Sequence, residues 1–125
     1  MSTKAVLIVE DDESVRLGLK MLFEEEGYAV LTAIHGQEAL DILGNKSNQK
    51  IGLILLDFKM PVMDGPCFLR ELKRTRPKIL KSIPIFITTA SDNNICQVPL
   101  KTTGVLSKPF DMDELLRIVN QYCGA

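Results

Sequence analysis

Glu10 and Asp11 directly follow one short apolar run, Asp57 closes another, and Thr89 and Lys108 stand at the ends of two later ones. If those runs are parallel strands, their polar followers gather at one edge of the sheet, where open α/β sheets place their ligands. Carboxylates brought together repel one another, so they hold protons more readily or need a cation to neutralise them. An all-oxygen set suits a hard divalent ion. Mg²⁺, typically held by one or two carboxylates plus a phosphate oxygen, fits an incomplete cage awaiting a phosphoryl group. No His or Cys joins the set, which argues against zinc. Lys108 offers a point charge for a phosphoryl oxygen, and Thr89 offers a hydroxyl donor. Glu10, Asp11 and Asp57 total −3, and Lys108 with one Mg²⁺ totals +3. An arriving phosphoryl group upsets that balance, which makes it a signal.

Each residue also has a plainer reading. Acids after a strand often cap the next helix, and Asp12 is a candidate for that role alone. Thr89 by itself reads as a strand-end hydroxyl bonded to backbone, and Lys108 by itself as a solvated charge. The joint placement of the set favours chemistry. His35, the single histidine, precedes Gly36 in a predicted turn with no nucleophile paired to it. Cys67, Cys96 and Cys123 form no CxxC pair and read as reduced thiols, packed as small apolar groups, with Cys96 open to exposure.

The elements that must position these residues follow from the apolar pattern. Five β-branched or uniformly apolar runs read as strands: Ala5 to Val9, Ala29 to Ala33, Leu53 to Leu56, Ile85 to Thr88 and Gly104 to Ser107. Helical spacing recurs between and after them. Val15, Leu19, Leu22 and Phe23 share one face, as do Leu115, Leu116, Val119 and Tyr122. Gly36 to Leu43 and Gly65 to Thr75 supply two more helices, and Gly44 to Lys50 reads as a polar loop. Gly27 ends the first helix, and Asp111 with Glu114 starts the last. The segment Ser91 to Thr103 carries two Asn and Pro99, so a short, irregular or mobile element is expected there. This is a (βα)5 order around a parallel sheet, with an irregular or shortened fourth helix.

Size and composition exclude much else. At 125 residues, with 46% hydrophobic and 25% charged residues, the chain reads as one globular domain spanning 1–125. A net charge of −1 supplies no overall field toward nucleic acid or anionic lipid, so no direct nucleic-acid contact is expected. The longest apolar runs fall far below the ~20 residues of a membrane span, so no membrane insertion is expected either. Reduced thiols and no signal peptide point to a cytoplasmic protein.

The segments VEDDESVR at Val9 to Arg16, LILLDFKMPVMDG at Leu53 to Gly65, PIFITTA at Pro84 to Ala90 and SKPF at Ser107 to Phe110 together resemble the receiver domain of bacterial two-component response regulators. The resemblance covers nearly the whole chain. It implies a flavodoxin-like doubly wound sheet of strand order 2-1-3-4-5. It makes Asp57 the phosphoacceptor, Asp11 a direct Mg²⁺ ligand, Glu10 a neighbouring acid acting through a metal-bound water, and the Lys59 backbone carbonyl a further ligand. Thr89 matches the hydroxyl drawn toward the phosphoryl group, Lys108 the lysine that contacts it, and Pro109 a residue after a cis peptide. The implied reaction moves a phosphoryl group from a sensor histidine kinase or phosphotransfer protein to Asp57, with output through contact with a downstream protein. Phosphorylation then biases a two-state equilibrium.

The chain also departs from the family. Val105 stands where Tyr or Phe is usual, which removes the usual aromatic half of the switch, and Thr89 to Lys108 is about three residues shorter than common as aligned here. Lys59 and Ser91 sit where they can shape access for a hydrolytic water. Three rivals compete with the resemblance. An aspartyl phosphohydrolase usually places an acid two residues after its nucleophile, where this chain has Lys59. A flavin carrier wants hydroxyls and glycines where Glu10, Asp11 and Asp12 stand. A receiver-like interaction module without a phosphorylation-dependent switch ranks second.

Overall fold

The computed structural model describes residues 4–45, 50–90 and 102–124. Its elements in chain order are β1 (Ala5–Val9), α1 (Glu13–Glu25), β2 (Val30–Ala33), α2 (Gly36–Gly44), β3 (Ile51–Asp57), α3 (Gly65–Thr75), α4 (Pro77–Ser82), β4 (Ile85–Thr89), β5 (Gly104–Ser107) and α5 (Met112–Cys123). All strand pairs are parallel, in the order β2-β1-β3-β4-β5. The chain therefore winds one way from β1 to β2 and the other way from β3 onward. The reversal opens a crevice beyond the carboxyl ends of β1 and β3.

Both central strands are wholly buried, every residue of β1 and of β3, because helices cover both faces. Alternate side chains feed two cores. Leu7, Val9, Ile54 and Leu56 meet Ala39 of α2 and Phe68, Leu69 and Leu72 of α3 on one face. Val6, Ile8, Leu53 and Leu55 meet Leu19 and Phe23 of α1 and Leu115, Val119 and Cys123 of α5 on the other. Each Val, Leu, Ile or Phe among them, fully withdrawn from water, contributes about 1.5–3 kcal/mol.

The helix-end signals at Asp12, Gly27 and Asp111 hold. Asp12 caps α1 by accepting from the Val15 amide at 3.2 Å, and Gly27 leaves its C-terminus at φ +93°, a conformation that a side chain would strain. Asp111 caps α5 by accepting from the Asp113 and Glu114 amides. β3 begins at Ile51, two residues before the predicted start, and β2 begins at Val30.

The short α4 has no counterpart in the sequence reading. Pro77 sits in its first turn, where the missing N–H costs nothing. The ring also drives Arg76 to φ −143°, which breaks α3 from α4. The expected irregularity between β4 and β5 falls largely on residues 91–101, outside the described residues, as do Ser91 and Cys96. Thr103 is described: its amide donates to the Ile85 carbonyl at 2.8 Å and its hydroxyl accepts from the Ile85 amide at 3.1 Å, aligning the start of β5 with β4.

Candidate functional site

Strand register brings the acids together. Val9 lies opposite Leu56, so Glu10 emerges level with Asp57, and Asp57 in turn lies opposite Thr88, one position before Thr89. Beyond β5, the Lys108 amide donates to the Thr89 carbonyl at 2.8 Å, which keeps Lys108 at the same edge, and the Lys108–Pro109 peptide is cis. One carboxylate oxygen each from Glu10, Asp11 and Asp57 lies within 4.8 Å of the others. Four of the five residues singled out in the sequence thus meet through their side chains. Thr89 is buried at the neighbouring strand end and has a polar interaction of its own.

The acids are not equivalent. Glu10 is only 2% exposed, and both its oxygens are engaged: Oε1 accepts from Lys108 Nζ at 2.9 Å and Oε2 from the Asp12 amide at 3.2 Å. Asp57 is 6% exposed, with Oδ1 3.5 Å from the same ammonium, while Asp11 is open to solvent. Burial, then the charge of Glu10, pushes the Asp57 carboxyl up to about 7 against the opposing pull of Lys108. Burial alone would lower Lys108. The Glu10 hydrogen bond and the charges of Asp57 and Glu10 outweigh it and hold the ammonium above its usual value.

The loop from β3 to α3 frames the site. The Phe58 amide donates to the Thr88 carbonyl at 2.9 Å and the Gly65 amide to the Phe58 carbonyl at 3.0 Å. A Cβ on Gly65 would stand 3.0 Å from the Asp57 carbonyl oxygen, closer than side chains normally tolerate, so glycine lets α3 begin against the strand end. Lys59 is exposed in this loop, as is Val62, which is held at φ +69° between Pro61 and Met63 by a 2.7 Å hydrogen bond from the Met63 amide to the Pro61 carbonyl.

The donor set is all oxygen, totals −3 when fully ionised, and combines one solvent-open carboxylate with one that burial and the charge of Glu10 push up to about 7. Those features fit a hydrated Mg²⁺ ion. Glu10, Asp11 and Asp57 are the residues that would hold it.

The family model of the response regulator receiver domain matches residues 6–120. The chain belongs to that family. Among curated relatives, this receiver domain is 35% identical over 125 residues to sporulation initiation phosphotransferase F of Bacillus subtilis (strain 168), covering 98% of this chain and 95% of that protein. It is also 35% identical over 118 residues to the sensor kinase CckA of Brucella abortus (strain 2308), covering 93% of this chain and only 12% of the kinase. Among solved structures, the receiver domain of a sensor histidine kinase from Pseudomonas aeruginosa, with a magnesium ion coordinated in its active site cleft, superposes with a TM-score of 0.80 at 26% identity, covering 99% and 100% of the two chains. Receiver domains bind Mg²⁺ at an acidic site and interact with histidine kinases or phosphotransfer proteins, and the acidic cluster here accords with that family property.

Sequence reasoning passed over one contributor to this region and one helix cap elsewhere. Arg16 Nη1 donates to the Glu10 and Asp11 carbonyls. His35, read from the sequence as a turn residue with no nucleophile paired to it, caps α2. Among the described residues, no helix is long and apolar enough to cross a membrane.

Proposed function

We propose that Asp57 is the phosphoacceptor of this receiver domain. The donor is a phosphohistidine on a sensor kinase or phosphotransfer protein. An Asp57 carboxylate oxygen attacks the phosphorus in line, the P–N bond breaks as the new P–O bond forms, and the departing imidazole takes up a proton. The observation that carries this reading is the convergence of the Glu10, Asp11 and Asp57 oxygens within 4.8 Å, with Lys108 Nζ 3.5 Å from Asp57.

Asp57 must be ionised to attack, and its metal-free carboxyl is pushed up to about 7. Bound Mg²⁺ supplies positive charge that favours the carboxylate and neutralises phosphoryl oxygens. Glu10, Asp11 and Asp57, with the Lys59 backbone carbonyl, would hold the ion. Lys108, parked on Glu10 at 2.9 Å, has its ammonium within reach of a phosphoryl oxygen on Asp57. Thr89 donates its hydroxyl to the same group. Water later cleaves the acyl phosphate, and exposed Lys59 borders its approach.

Output runs through contact with a downstream protein, in the cytoplasm where kinases are charged, without direct nucleic-acid contact. Val105, 36% exposed on β5, favours one second reading, a docking module whose partner surface ignores phosphorylation, because the usual aromatic is missing there. Acetyl phosphate with Mg²⁺ tests the main reading. Wild type gains one labile phosphoryl group by intact mass, and Asp57→Asn gains none. Labelling of Asp57→Asn to the wild-type level would sink it, and a phosphorylated form that binds its partner no differently would favour the docking module.

A further inference from the structure

Arg16 lies in the first turns of α1, and its Nη1 donates to the Glu10 carbonyl at 3.0 Å and the Asp11 carbonyl at 3.3 Å. These two peptides carry two of the three clustered carboxylates. Carbonyls past the end of a strand need a donor from elsewhere, and here one guanidinium spans both. The clamp is anchored at its root as well. The Arg16 amide donates to the Asp12 carbonyl at 2.9 Å, and Asp12 caps the helix while its own amide holds Glu10 Oε2.

We infer that Arg16 is a positioning residue for the metal site, fixing through its guanidinium the backbone from which Glu10 and Asp11 project toward Mg²⁺. This rests on the metal-site reading above. Its physical content lies in a sign. A cation near three carboxylates opposes a second cation, so if Arg16 acted only as a charge, its removal would tighten Mg²⁺ binding. If it acts by positioning, removal weakens binding even though a repulsive charge has gone. Residues that orient ligands without touching the metal typically change affinity by about 10–100-fold.

The test is Mg²⁺ titration by calorimetry on the unphosphorylated full chain, with melting temperature measured on the same samples. Arg16→Met keeps the stem and loses the fork, and should raise the Kd for Mg²⁺ about tenfold. Arg16→Lys, which retains one charged donor, should fall between the two. Lys20→Met removes an equal charge one turn along α1, from a side chain paired with Glu24 at 2.9 Å, and should leave the Kd unchanged or slightly lower. A lower melting temperature with unchanged or tighter Mg²⁺ binding in both Arg16 variants would overturn the inference and leave the metal site standing. Failure of the wild type to bind Mg²⁺ would overturn the metal-site reading and the inference with it.

Discussion

Asp57 shows how a single residue can be placed for reactivity at the expense of stability. Its ordinary carboxyl value is 3.8, and the folded chain raises it to about 7. The folded state therefore keeps a proton that the unfolded chain releases between these values, so this residue's contribution to stability falls as pH rises from about 4 to 7 and is level above that. Asn at the same position does not titrate. Without metal, Asp57→Asn should match the wild type near pH 4 and exceed it by roughly 1–3 kcal/mol at pH 8, below a ceiling of about 4 kcal/mol set by the shift, because the Lys108 pair is lost. Denaturant melts at the two pH values check this, and a gap that fails to open with pH would show that burial and the charge of Glu10 do not hold Asp57 protonated. Saturating Mg²⁺ should close the gap by stabilising only the wild type. The acids were legible in the sequence because polar groups ending apolar strands stand out. Arg16 was not, because its partners are backbone carbonyls that only the geometry of the first helical turns brings within reach.

At the scale of elements, boundaries followed caps and prolines where side chains carry the signal. Asp12, Asp64 and Asp111 each accept from amides in the first turn of the helix that follows, and the first and last of these starts were readable from the sequence. α2 uses a less familiar donor–acceptor pair. His35 Nδ1 accepts from the Glu38 amide at 3.2 Å, while Glu38 Oε1 accepts at 2.7 Å from the amide of Ile34, the residue before the cap, a relative of the capping box with histidine in place of Ser or Thr and the return bond moved back by one residue. Histidine is uncommon in that position, which is why its role was invisible beforehand. His35→Ala should lower stability by about 1 kcal/mol and His35→Asn should recover most of it, measured by denaturant melts. Equal losses in both variants would mean that the imidazole matters by packing and not as a cap. α4 escaped the sequence reading because six residues are too few to establish a helical period, and its half-buried Ile79 and Leu80 pack against the α2–α3 core.

At the scale of the whole molecule, topology does what no local segment can. Residues 10, 57, 89 and 108 are far apart in the chain, and parallel pairing in the order β2-β1-β3-β4-β5 sets their strand ends side by side. The two cores fix that register, since slipping β3 by one residue against β1 would exchange the core assignments of Leu53, Ile54, Leu55 and Leu56. Fold class was readable because five buried apolar runs alternating with amphipathic stretches admit few arrangements, whereas strand order came from the resemblance to receiver domains. The central claim is that this convergence makes one aspartyl side chain, and no other, reactive toward phosphorus. The most direct measurement is to label the protein with acetyl phosphate with and without Mg²⁺, reduce the acyl phosphate with borohydride, and locate the modified residue by peptide mass. The account predicts Mg²⁺-dependent modification at Asp57 alone. Modification at Glu10 or Asp11, or labelling indifferent to Mg²⁺, would contradict it.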